Sequence, residues 1–252
     1  MIYLNSLQAQ DKMEYPEFFV EKIDLVPDLL MTDKTLELPD GGGYFCGPVS
    51  VANSLIYLKN NGFEKLLPDY QGDTMKIYSD LICQLGEDRY MKTITNKITP
   101  QGYMIRGLKR YVKDSDYNFE NIEYKKIGKN PNNDIDLLKN RISNGYETMI
   151  FLWITKEIEP NVMKIIAGHW VSLVGYGKDE KGKVNSDILI IHDPGSGLNY
   201  TANDFVQLKL CDSDFKADKR NFKNHYELMN FDCTNGADNI FLSGILSFKL
   251  KK

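Results

Sequence analysis

The stretch Gly41–Leu58, GGGYFCGPVSVANSLIYL, decides how this chain is read. Three glycines leave the backbone free to turn, and a single cysteine then stands directly before Gly47 and Pro48. Pro48 suits the first turn of a helix, where a missing N–H costs nothing. Val49, Ala52, Leu55, Ile56 and Leu58 follow at three- and four-residue spacing, an apolar helical stripe that should end near Gly62. Cys46 therefore falls at a helix N-terminus, where unpaired N–H groups and the helix dipole favour negative charge and hence the thiolate form of a cysteine. The alternative is a buried structural thiol, but the flanking glycines and the helix start favour a nucleophile.

Two further pieces lie downstream. In GHWVSLVGYG, Gly168–Gly177, a histidine enters an alternating apolar strand, with His169, Val171 and Leu173 on one face and Trp170, Ser172 and Val174 on the other. The turn KDEKGK then leads into DILIIHD, a returning antiparallel strand, and HDPGSG, His192–Gly197, forces the chain out of the sheet. The turn lies at the far end of this hairpin. Asp193, ending the second strand, should therefore neighbour His169 and orient its imidazole. His192, adjacent in sequence, should face the opposite side and be structural.

Cys-Gly-Pro, then Gly-His-hydrophobic, then Asp-Pro, in this order, resembles the papain-like cysteine peptidases, in particular the C39-like, bacteriocin-processing-peptidase-like branch. The resemblance runs from about Gly41 to Asn203. It implies an α+β fold in which a helical half, led by the cysteine-bearing helix, packs on an antiparallel sheet carrying His169 and Asp193. It also implies a Cys46–His169–Asp193 triad that hydrolyses peptide or isopeptide bonds of a peptide or protein substrate, with no cofactor and no metal. Two other readings use the same residues differently. A thiol acyltransferase or amidase would keep the triad and change the acceptor, and a catalytically inactive papain-like binding module would keep only the fold. One departure supports the last: such enzymes carry a glutamine a few residues before the cysteine to bind the oxyanion, and here those positions are Asp40 and Gly41. The backbone N–H of Cys46 would be one donor, with Tyr44, Asn53, Gln8 or Gln10 as candidates for the second.

The 252 residues read as a single domain, because Cys46 and His169 must meet within one compact unit. Residues 1–40 form an N-terminal strap, either packed along the surface or lying over the site, with a short helix between Pro16 and Pro27. Helices are expected around Ile77–Leu85, with Gly86 as C-cap, and after Thr99, with Thr99 as N-cap. A strand at YNFENIEYKKI, a helix at NNDIDLLKNRISNG capped by Asn133 or Asp134, and a buried strand at ETMIFLWI complete the middle. Thr201 and Asp204 suggest a capping box for a short helix, TANDFVQL. Residues 211–238 read as an inserted loop or lid, with His225 exposed in it, and NIFLSGILSFKL as a final strand.

A net charge of −4 and a pI near 5.5 without a basic block give no reason to expect nucleic acid. No apolar run is long enough to span a bilayer, so no membrane partner is expected and the chain reads as soluble, cytoplasmic in preference to secreted after signal removal. Cys46, Cys83, Cys211 and Cys233 lack metal-type spacing. Cys83 reads as a small buried hydrophobe, and Cys211 with Cys233 either pair in an oxidising compartment or remain thiols in a reducing one. Trp153 and Trp170 read as core residues, Trp170 also as a shield for the imidazole.

Overall fold

A computed structural model describes residues 14–67, 72–128, 130–195, 205–218, 220–231 and 236–252. Its helices are α1 (Cys46–Asn60), α2 (Thr74–Gly86), α3 (Thr93–Asn96), α4 (Gln101–Asp114) and α5 (Pro131–Ser143). Its strands are β1 (Phe119–Lys126), β2 (Glu147–Glu159), β3 (Val162–Lys178), β4 (Val184–His192), β5 (Phe205–Leu210), β6 (Lys216–Ala217), β7 (Arg220–Asn221), β8 (Tyr226–Leu228) and β9 (Asn239–Leu250). The class is mixed α+β, with one large sheet.

α1 begins at Cys46 and is the centre of the helical layer. Every residue from Cys46 to Ile56 is buried, polar ones included. A helix apolar or covered all round belongs in a core, not on a surface. Its polar residues are satisfied by the sheet: Ser50 Oγ donates to Trp170 O at 3.1 Å and Ser172 Oγ donates to Ser50 O at 3.2 Å. These two bonds clamp α1 across β3. Around α1, one core cluster joins Val49, Leu55, Ile82, Leu85, Met104 and Leu108, from α1, α2 and α4.

The sheet closes on itself. β2 pairs with β3, β3 with β4, β4 with β5, β5 with β8, β8 with β9, and β9 back with β2, each pair antiparallel. A ring of strands leaves no open edges where it is paired. Its interior is a second core containing Ile150, Leu152, Val171, Leu173, Ile191 and Val206, and α5 contributes Ile135, Leu138 and Ile142 to it. β3 shows why both cores exist. Val171 and Leu173 point into the ring and Trp170 into the helical core, the two-residue alternation expected of a strand covered on both faces.

Several local expectations are corrected. His169 does not begin its strand; β3 starts at Val162, and a tight turn at Pro160–Asn161, not a loop, joins it to β2. Phe205–Leu210 is strand β5, not helix, and Thr201 and Asp204 lie outside the described residues. Gly86 ends α2 without a left-handed conformation; a Cβ there would stand 2.8 Å from Phe45 Cε1, so close packing requires the glycine. Thr99 is not the cap of α4, where Pro100 takes the cap position; its hydroxyl bonds Thr93 and its carbonyl accepts from Trp170 Nε1 at 3.0 Å. Asn130 precedes α5 as its cap, and Asp134 sits inside the first turn.

The strap contains no helix between Pro16 and Pro27. Phe19 makes a backbone bridge with Tyr176, and Lys22 forms a buried ion pair with Glu147 at 2.5 Å. Further on, Pro27 O lies 3.2 Å from His192 Nδ1, and Met31 N donates to Pro194 O at 2.9 Å. The strap thus runs along the outer side of the His192–Pro194 segment. Segment 211–231 is not a loose loop: β8 closes the strand ring, and Cys211, Ala217 and Phe222 form a small core with Met163 and Phe241. His225 is half-buried against Phe222, not exposed. Cys83 is half-buried, and Cys211 is a free thiol whose Sγ lies 3.6 Å from Ser213 O; Cys233 is outside the described residues. Among the described residues no helix is long and apolar enough to cross a membrane.

Candidate active site

The clamp between α1 and β3 sets the site. Ser50 is one helical turn beyond Cys46, and Trp170 is one residue beyond His169, so the Ser50–Trp170 bond carries Cys46 and His169 toward each other. Gly47 permits the approach of the neighbouring segment: a Cβ there would lie 2.6 Å from Thr99 Cγ2. Any larger residue would push the Lys97–Pro100 segment away from the start of α1.

Asp193 arrives by register. The β3–β4 ladder ends at Ser172 opposite His192, so the next residue, Asp193, lies opposite Val171 and diagonal to His169. Its Oδ1 is 2.5 Å from His169 Nε2 and also accepts from Gly195 N at 2.7 Å. With Nε2 engaged by Asp193, the remaining ring nitrogen, Nδ1, is the one left for the Cys46 side chain, which also acts on the imidazole electrostatically. His169 is therefore hydrogen-bonded to Asp193 and interacts with Cys46, so the three residues stand together in one line. His192 takes the other side of the strand, buried against the strap at Pro27.

The imidazole is almost fully buried, at 6% exposure. Burial alone lowers the pKa of a histidine, because it disfavours the charged form. Here the charge and hydrogen bond of Asp193, followed by the interaction with Cys46, outweigh burial and hold His169 up to about 10. An imidazolium flanked by a carboxylate and a sulfur is thus the favoured state across the neutral range. A second carboxylate approaches from the strap. Asp28 is pushed up to about 6, first by the loss of water around its carboxyl group and then by the like charge of Asp193.

A cavity of about 490 Å³ opens beside the line, with Cys46 and His169 in its wall. Phe151, Trp153, Ile154, Ile98 and Ile166 make much of it apolar. Ile98 and Ile166 are exposed, at 59% and 39%. At the rim, Lys97 pairs with Asp40 and donates to the Tyr44 hydroxyl at 2.6 Å, while that hydroxyl donates to Asp40 at 2.5 Å. Asp40 and Lys97 both hold left-handed backbone conformations, at φ of 52° and 54°.

Of the candidate second oxyanion donors, Tyr44 lines the cavity, but its proton is committed to Asp40. Asn53 is fully buried two turns into α1, with its Oδ1 3.4 Å from Leu29 N and its Nδ2 without a partner among the described residues, and does not line the cavity. Gln8 and Gln10 lie outside the described residues. Gln101, at the first turn of α4, does line the cavity. Sequence reasoning did not single it out, since a glutamine after Thr-Pro at a helix start carries no local mark of its tertiary position.

The aromatic beside the imidazole was also not foreseen. Trp170 packs with Phe151 and Tyr124 in the helical core. The ring that stacks on His169 is Phe231, with centroids 6.3 Å apart and planes at 28°. No protein-family model matches the chain, and no curated protein matches it.

Proposed function

We propose that this chain is a cysteine peptidase of papain-like architecture that cleaves peptide or isopeptide bonds, with Cys46 as nucleophile, His169 as proton carrier and Asp193 as the group that orients it. The observation that carries this reading is the placing of Cys46, at the start of a buried helix, in one cavity wall with His169, whose imidazole is hydrogen-bonded to Asp193 and interacts with Cys46. A structural thiol has no need of a paired imidazole and a solvent-reachable cavity together. The arrangement of a buried cysteine-bearing helix against a closed antiparallel sheet supports the papain-like assignment.

In this mechanism the Cys46 sulfur attacks the acyl carbon and the C–N bond breaks. His169 gives its proton to the departing amine, leaving a thioester on Cys46. A water then loses a proton to His169, attacks the thioester carbon, and releases the acid and the cysteine. Asp193 keeps the imidazole in the tautomer that offers Nδ1 to the sulfur. The N–H groups of the first turn of α1, which have no intrahelical acceptor, are aimed where negative charge builds on the acyl oxygen.

The test is hydrolysis of a denatured protein substrate at neutral pH by the parent chain, Cys46→Ala and His169→Ala. Parent activity that disappears in Cys46→Ala and falls by roughly 10³-fold or more in His169→Ala is the expected result. An inert parent, together with a Cys46 alkylation rate that His169→Ala leaves unchanged, sinks the proposal.

A further inference from the structure

The wall of the cavity is apolar, but its edge carries unequal charge. Among the described residues lining it there are two cations, Lys97 and the His169 imidazolium, and no carboxylate, and His169 is paired with Asp193. Lys97 is already compensated, because Asp40 pairs with it and its ammonium group sits 4.5 Å from the centre of the Tyr44 ring. Arg220 is not itself in the lining, but its guanidinium lies 4.7 Å from the centre of the Trp153 ring, and Trp153 is part of the cavity wall. The other contact of Trp153 is edge-on with Phe151, with ring centroids 4.7 Å apart, so Arg220 and Phe151 together fix the indole.

Arg220 has no ion-pair partner among the described residues. Its neighbours in the chain do not supply one. Asp214 is hydrogen-bonded by Asn221 at 3.0 Å and also feels Lys223 and Lys216. An exposed arginine stacked on an aromatic keeps its outward N–H groups for an external acceptor, and its planar fork matches a carboxylate.

We infer that Arg220 selects the substrate: the cavity takes a bulky apolar side chain, and the guanidinium on Trp153 binds an acidic residue flanking it. The favoured substrate is therefore an extended peptide in which an apolar residue is followed, away from the scissile bond, by aspartate or glutamate. The inference rests on the cysteine-peptidase reading and adds the substrate class to it. Charge complementarity commits the site to this occupant: against the wall residue Trp153 stands a positive group with no ion-pair partner among the described residues, and the described lining offers no carboxylate. Segment 211–231 thereby acquires a task, since it brings Arg220 to the wall and Phe231 to the imidazole.

The test uses three peptidyl acyloxymethyl ketones that share a leucine next to the reactive residue and carry glutamate, glutamine or lysine beyond the leucine. Covalent labelling of Cys46 is followed by intact mass in the parent, Arg220→Glu and Arg220→Lys, with iodoacetamide as a control for thiol reactivity. The parent should react fastest with the glutamate probe and slowest with the lysine probe, by roughly tenfold at low salt, and the gap should narrow as salt rises. Arg220→Glu should invert the order, Arg220→Lys should preserve it, and the iodoacetamide rate should stay level in all three. Labelling of Cys46 with no dependence on probe charge, or an order unchanged in Arg220→Glu, overturns the substrate assignment and leaves the peptidase reading standing. Failure of every peptidyl probe to label a Cys46 that iodoacetamide does reach overturns both.

Discussion

Phe231 lies nearly parallel to the His169 imidazole, with ring centroids 6.3 Å apart, and is itself 8% exposed. It lies over one face of the imidazole and belongs to the core inside the strand ring. Replacing it by alanine should remove about 2–4 kcal/mol of stability, because a large buried ring leaves a cavity that the surroundings fill only in part. Phe231→Leu should restore most of that stability. If the ring shelters the base, Phe231→Leu should still modify Cys46 more slowly than the parent when alkylation is measured at pH 7. Equal rates would reduce Phe231 to packing alone.

Asp193 is the reason His169 stays charged, so Asp193→Asn should bring the imidazole pKa down from about 10. The sign for stability follows. A histidine whose folded pKa is raised above its unfolded value, near 6.5, stabilises the fold fully below that value. The contribution is lost as pH rises through the folded value. Urea midpoints of the parent should therefore fall between about pH 6.5 and 10 more steeply than those of Asp193→Asn. Parallel curves would mean that the pair is not charged in the folded protein.

Asp28 gives the opposite test, because its raised folded value belongs to an acid. Above about pH 6 the ionised carboxylate faces Asp193 at a cost to the folded state, and below about 4 it is protonated in both states. Asp28→Asn should thus raise the melting temperature at pH 7 and 8 and leave it unchanged near pH 4. A uniform shift at all pH values would point to packing at the strap instead of like-charge repulsion.

The parts of the site written in local patterns were legible. Cys46 at a helix start, His169 in an alternating strand and Asp193 at the end of a hairpin each follow from a few neighbouring residues, and the hairpin alone predicts that the last two are close. The α+β class was legible for the same reason, as the period changes after Ser115. What escaped was set by distant contacts. Phe205–Leu210 carries no mark that distinguishes a short strand from a short helix, and only pairing with β4 and β8 settles it. Phe231 and Arg220 sit in a charged segment whose order depends on Phe222 stacking on Phe241, a partner 19 positions away. Gly86 looks like a helix stop in sequence, and only the Phe45 ring against it reveals the packing reason.

Gly47 makes the fit of α1 against the Thr99 segment open to direct test. Gly47→Ala places a methyl group 2.6 Å from Thr99 Cγ2, closer than carbon atoms pack, so the Lys97–Pro100 wall must move. Overpacking of this kind typically costs about 1–3 kcal/mol. The added carbon would also stand 2.7 Å from Thr99 Cβ and 2.8 Å from Thr99 Oγ1, so Thr99→Gly in the same chain, which removes all three atoms, should recover part of the loss. Melting curves of the single and double variants decide the point, and additive effects would rule out the contact as the cause.

The strap is held by a charge pair where water is nearly absent, and this gives the sharpest stability prediction. Lys22 Nζ lies 2.5 Å from Glu147 Oε1 and 3.0 Å from Tyr146 O, with both side chains at 5% exposure or less, and its ammonium stands 4.9 Å from the centre of the Tyr57 ring. Removing one partner strands the other. Lys22→Met should therefore cost about 3–5 kcal/mol, because an ionised Glu147 is left buried without a counter-charge. Lys22→Met combined with Glu147→Gln deletes both charges and should recover much of the stability, whereas equal losses in the single and double variants would show that the ammonium matters through its contacts with Tyr146 and Tyr57. Strap release has a second readout. Phe19 and Met31 flank Lys22 in the strap and tie it to Tyr176 and Pro194, so limited proteolysis between Tyr15 and Asp33 should accelerate in Lys22→Met before global unfolding sets in. Cleavage that appears only with global unfolding would show that the strap is an integral layer of the fold, not a separately releasable one.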